Sequence, residues 1–156
     1  MRLEAATSDA DLPRIERLLA ENGLPHADLA TSPVRLFVGY EGERDAGDGR
    51  GPDGDGFVGV GGLEVYGTDA LLRSVVVPEE HRGRGRGAAL YRAIESRARE
   101  EGVERLYLLT ATAEDFFSRQ GFEVVGREDA PGAIRDTAEF RELCSDAATC
   151  MRKAIG

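Results

Sequence analysis

The segment Val75 to Gly87, VVVPEEHRGRGRG, constrains what this chain can fold into more than any other part of it. Three valines end a near-continuous apolar run, Ala70 to Val77, of the kind found in strands buried on both faces. Pro78 lacks an amide N–H and stops that strand. Arginine and glycine then alternate from Arg82 to Gly87, and Ala88 to Glu101 follows with Leu90, Ile94 and Ala98 on one helical face. A buried strand, a glycine-rich turn and an amphipathic helix form one unit of a layered α/β domain. In such a turn the backbone N–H groups converge and the helix terminus adds partial positive charge. A phosphate-bearing ligand is therefore expected at Arg82, Gly83, Arg84, Gly85, Arg86 and Gly87. The evenly spaced glycines lack the G-x-G-x-x-G pattern, and no Gly-Lys-Ser/Thr is present, which argues against nicotinamide and ATP.

The surrounding segments read as further strands and helices. Leu3 to Ala6 suits a first strand, and Ser8 an N-cap for a helix carrying Leu12, Ile15, Leu18 and Leu19 up to Gly23. Val34 to Tyr40 and Phe57 to Tyr66 read as paired strands because both are rich in β-branched and aromatic residues. Residues 41–56 between them are almost pure Gly, Asp, Glu and Arg, which bury too little apolar surface to offset ordering, so a flexible loop is expected. Downstream, Arg105 to Thr110 predicts a buried strand, Ala113 to Gln120 a short helix, and Glu123 to Gly126 another strand. Thr137 to Leu143 predicts a helix and Thr149 to Ile155 a last strand.

The chain's 156 residues and 41% hydrophobic content suit one domain spanning 1–156. A formal net charge of -9 repels phosphate backbones, so nucleic acid is not an expected partner. No apolar run reaches membrane-span length and Met1 to Leu12 lacks a signal-peptide core, which predicts a cytoplasmic protein with no membrane partner. Cys144 and Cys150 stand six positions apart without further Cys or His at ligand spacing, so no metal site is expected.

The run LLRSVVVPEEHRGRGRGAALY resembles the acetyl-CoA-binding motif of the GCN5-related N-acetyltransferases (GNAT), whose Arg/Gln-x-x-Gly-x-Gly/Ala is matched by Arg82, Gly85 and Gly87. The later AEDFFSRQGFEVVGR is similar to the helix, Gly-Phe and strand that close the family's cofactor site. The resemblance implies a single-domain α/β fold with a mixed, twisted sheet of about six to seven strands flanked by helices. It also implies an enzyme moving an acetyl group from acetyl-CoA to an amine. The main chain of Val75 and Val77 would pair with the pantetheine arm as an added strand, and N–H groups near Val75 would polarise the thioester carbonyl. Phe117 stands where many relatives carry a Tyr that protonates the leaving thiolate, and Thr110 where relatives often have Asn. Both are counted with the cofactor set.

An amine must lose a proton before it attacks, and Glu64, on the second hairpin strand, is the first candidate base. His81 ranks behind it, and His26 is read as idle. The segment LYLLTATAEDFFSRQGFEVVGREDAP and the tail TAEFRELCSDAATCM resemble the arsenic-resistance N-acetyltransferases and the acetyltransferase domain of N-acetylglutamate synthase. That implies a glutamate-like amino acid, or an arsenic-containing analogue of one, as the small-molecule acceptor. A carboxylate on the acceptor calls for a cation, and Arg73, with Arg127 and Arg135 later, is suited to a clamp to which Ser74 adds a hydrogen bond. Two other readings remain open: a non-catalytic acyl-CoA sensor, which Phe117 permits, and a protein or peptide N-acetyltransferase. A homodimer is compatible with all three.

Overall fold

The computed structural model describes residues 2–6, 8–22, 34–40, 57–77, 85–137, 140–141 and 148–156. The loop expected at 41–56, His26, and the turn residues His81, Arg82, Gly83 and Arg84 lie outside these, as does Cys144.

Seven strands form one sheet. In chain order they are β1 (Arg2–Ala5), β2 (Arg35–Tyr40), β3 (Phe57–Tyr66), β4 (Asp69–Val76), β5 (Arg105–Thr110), β6 (Glu123–Val125) and β7 (Thr149–Ala154). The spatial order is β1-β2-β3-β4-β5-β7-β6. Every neighbouring pair is antiparallel except β4 and β5, which run parallel. The parallel pair needs a crossover, and α2 (Arg86–Glu100) supplies it. The remaining helices are α1 (Ser8–Glu21), α3 (Glu114–Arg119) and α4 (Gly132–Arg135). Each expected strand forms within a residue or two of its reading. A 3₁₀ turn at Arg127–Asp129 and α4, both within a stretch with no clear periodicity, were not anticipated. Of the helix expected from Thr137 to Leu143, only residues 137, 140 and 141 are described, and the Arg141 N–H donates to the Thr137 carbonyl.

Alternation along the strands separates two apolar faces. On one, Leu63, Leu72, Leu106, Leu108 and Met151 pack under Leu90 and Ile94 of α2. Leu90 and Ile94 are fully buried, each contributing about 1.5–3 kcal/mol of hydrophobic stabilisation. The other face holds two separate clusters. Ile15 and Leu19 of α1 cover Val38, Tyr40, Val60 and Val76. Ala130, Ile134 and Phe140 cover Leu71, Tyr107 and Leu109. The far side of α2 is tied to β7 by the buried Glu95, which pairs with the Lys153 ammonium at 2.6 Å and accepts a hydrogen bond from the Tyr91 hydroxyl at 3.1 Å. Burial, then the Glu95 charge, pushes the Tyr91 phenol far above its ordinary range.

Candidate active site

The site begins where the parallel ladder ends. β4 and β5 are in register only at Asp69–Arg105, Ala70–Leu106 and Leu71–Tyr107. β4 runs on to Val76 and β5 to Thr110, so beyond Leu71 and Tyr107 the two strands part. On its other side β4 stays paired with β3, but the register jumps from Gly62–Arg73 to Val60–Val76. β3 advances two residues there and β4 three, which is a β-bulge. Ser74 and Val75 together stand opposite Gly61, and Ser74 is held at φ 60, the one non-glycine with positive φ among the described residues. Bulges re-aim the main chain, and this one lies at the mouth of the parting.

Three elements frame the far end. Gly85 precedes α2 at φ 71 and ψ 9, a left-handed conformation that glycine adopts without the penalty a Cβ brings. The first N–H groups of a helix have no helical acceptors and carry partial positive charge. A Cβ on Gly87 would sit 3.4 Å from the Phe116 ring and 3.9 Å from a Val77 methyl. The start of α2, the end of β4 and α3 therefore meet there. Thr110 ends β5, and its hydroxyl accepts a hydrogen bond from the Ala113 N–H at 2.9 Å, shaping the entry to α3. Parted strands, which admit an extended chain, and a helix N-terminus, which suits phosphate, fit the two chemical parts of an acyl-CoA.

Of the two α3 rings, the nearer to this junction is Phe116. Phe117, expected among the cofactor contacts, is turned into the core, edge-on to Tyr91, Phe116 and Phe122. One helical step of about 100° separates the two positions, enough to send one ring to the junction and the other inward.

On the face opposite α2, between the two apolar clusters, lies a buried polar chain. The Arg73 guanidinium meets Glu64 Oε2 at 2.9 Å, with side-chain exposures of 0% and 3%. Arg73 Nε donates to Ser74 Oγ at 3.3 Å, and the Tyr66 hydroxyl donates to Glu64 Oε1 at 2.6 Å. Burial, followed by that hydrogen bond and the Glu64 charge, pushes the Tyr66 phenol well above its ordinary range. The sequence suggested Glu64 as a base and Arg73 as a separate carboxylate clamp. The structure instead pairs them with each other, because they lie on the same face at adjacent cross-strand positions. Arg127 is half-buried and donates to the Ala148 carbonyl at 3.2 Å, tying the 3₁₀ turn to the start of β7, and Arg135 is exposed on α4. Sequence reasoning assigned Ser74 a hydrogen bond but not its left-handed backbone, for which a serine gives no signal. Among the described residues no group of His, Cys, Asp and Glu could hold a metal ion.

Residues 34–124 match the family model described as an acetyltransferase (GNAT) domain. The chain belongs to the GNAT family. The amino-acid acetyltransferase of Mannheimia succiniciproducens is 35% identical over 72 residues, which cover 46% of this chain and 16% of that protein. The chain thus spans a minor part of the length of this curated relative. N-acetylglutamate synthase from Neisseria gonorrhoeae, solved with coenzyme A and N-acetyl-glutamate, superposes with a TM-score of 0.70 at 17% identity, covering 100% of this chain and 36% of that one. A Mycobacterium tuberculosis protein solved with CoA gives 0.71 at 21% identity and 99% coverage of both chains. At these identities the structural likenesses establish the fold. Among the described residues no helix is long and apolar enough to cross a membrane.

Proposed function

We propose that this enzyme acetylates the α-amine of a small, glutamate-like amino acid, with an arsenic-containing analogue among its acceptors. The observation carrying this reading is the sequence likeness to an amino-acid acetyltransferase, 35% identical over 72 residues. The curated relative's activity on amino acids and the sequence likeness to the arsenic-resistance group support the same acceptor class. Val75 and Val77 would line the pantetheine arm, and Arg82, Gly83, Arg84, Gly85, Arg86 and Gly87 the pyrophosphate. When bound, acetyl-CoA supplies an activated thioester. The chain's part is to hold the main chain of the bulge against the carbonyl and to place the amine beside it.

The test is thiol release from acetyl-CoA with a panel of glutamate, glutamate analogues, other amino acids, polyamines and a lysine peptide. Saturable release confined to glutamate-like acceptors is expected. Release with the lysine peptide alone would move the reading to a peptide acetyltransferase. CoA binding without release for any amine would favour an acyl-CoA sensor.

A further inference from the structure

Ser74 occupies a backbone conformation that disfavours every residue with a Cβ, in the strand on which the reaction depends. Such a conformation persists only where its surroundings hold it. The holding groups form a linear chain: the Tyr66 hydroxyl to Glu64, Glu64 to the Arg73 guanidinium, and Arg73 Nε to Ser74 Oγ. We propose that Glu64 is a positioning residue and not the proton acceptor: through Arg73 it clamps the Ser74 hydroxyl and so fixes the bulge that turns the β4 main chain toward the parting. This inference rests on the acetyl-transfer reading above.

Two features of Glu64 favour this role over that of a base. Both carboxylate oxygens are already engaged, Oε1 by Tyr66 and Oε2 by Arg73. To take a proton from an amine, Glu64 would have to surrender one of these bonds at a site closed to water. Its place along the strand is also wrong for a base. Glu64 lies opposite Leu71, three residues before Ser74, or about 10 Å along β4 at roughly 3.3 Å per residue. Arg73 spans that gap, with its guanidinium at Glu64 and its Nε at Ser74. A serine fits this arrangement better than glycine, because glycine would relax the bulge but leave nothing for Arg73 to grip.

The test compares Glu64→Gln, Glu64→Ala, Ser74→Gly and the Glu64→Ala/Ser74→Gly double variant in the full chain, assayed well below each variant's Tm. Glu64→Gln keeps a hydrogen-bonding group facing Arg73 and should lose less kcat than Glu64→Ala, with the acidic limb of the kcat/KM pH profile unmoved. Glu64→Ala should lower kcat by about tenfold or more, as loss of positioning does. It should add little once Ser74 is glycine, because the clamp then has no hydroxyl to hold. Amide exchange gives a readout independent of turnover: Glu64→Ala should speed exchange over Ser74–Val76 by clearly more than the general increase that lower stability brings to Leu106–Leu109.

Loss of the acidic limb in Glu64→Gln, or an equal loss of kcat on removing Glu64 with Ser74 or Gly at the bulge, would restore Glu64 as the base. Exchange over Ser74–Val76 that rises no more than over Leu106–Leu109 in Glu64→Ala would also overturn the proposal. Absence of wild-type turnover with every amine would refute the acetyl-transfer reading instead, and the exchange experiment would still decide the role of Glu64.

Discussion

The Arg73–Glu64 pair supports a quantitative prediction about stability. The charged groups approach to 2.9 Å with almost no solvent exposure, so screening by water and salt is slight. At an effective dielectric of about 20 their Coulomb attraction at this separation is roughly 6 kcal/mol, most of it offset by the cost of taking both ions out of water. Removing one partner forfeits the attraction and leaves the other ion's desolvation uncompensated. Arg73→Met and Glu64→Leu should each cost about 3–5 kcal/mol, a large share of the roughly 5–15 kcal/mol that holds a domain folded. The Glu64→Leu/Arg73→Met double variant buries no charge and fills similar volume, so it should be more stable than either single variant. Urea unfolding followed by circular dichroism at pH 7 measures all three against the parent, with the slope m checked for constancy. Single-variant losses below about 1 kcal/mol, or a double variant losing the sum of the two, would refute the claim that this pair is a desolvated, mutually compensating unit. The stable double variant should still turn over poorly, since the polar floor beside the bulge is gone.

Three further outcomes are expected. Gly59→Ala would drive a Cβ into the Val76 carbonyl oxygen, a backbone atom that cannot swing away, and should cost about 1–3 kcal/mol, lowering Tm by several degrees in calorimetry. Burial pushes the Cys150 thiol up to about 11 from its ordinary 9.0, so its contribution to stability is complete below pH 9 and is lost as pH rises toward 11. Cys150→Ala should flatten the alkaline fall in stability by about 2–3 kcal/mol, and native Cys150 should react slowly with a thiol reagent at pH 8. Lys153→Met strips the buried Glu95 of the ammonium at 2.6 Å and should cost about 2–4 kcal/mol in urea unfolding, less in a Glu95→Gln background.

Much of the site's frame was legible in the residues. The apolar run Ala70–Val77, the break at Pro78 and the glycines before an amphipathic helix predicted a buried strand feeding a helix terminus, and β4 and α2 take those places. The strand Arg105–Thr110 forms over the expected residues, because its pattern and the flanking turn residues agree. The stretch 127–135 was not legible: neither periodicity nor caps mark it, and its 3₁₀ turn and α4 exist because Ala130 and Ile134 find Leu71 and Tyr107 beneath them.

Sequence by itself determined what depends on neighbours along the chain: which segments become strands, where a helix opens after the buried strand, and the family to which the chain belongs. The tertiary structure decided which side chains meet. Glu64 and Arg73 are nine positions apart and looked like two independent tools until the antiparallel register placed them on one face as partners. Phe116 and Phe117 are adjacent and alike in type, and only the packing of α3 sends one toward Gly87 and the other into the core. The left-handed Ser74 belongs to the same class. Local propensity opposes its conformation, and the hydrogen-bonded chain that reaches its hydroxyl runs from Glu64 through Arg73, a pairing made across the two strands.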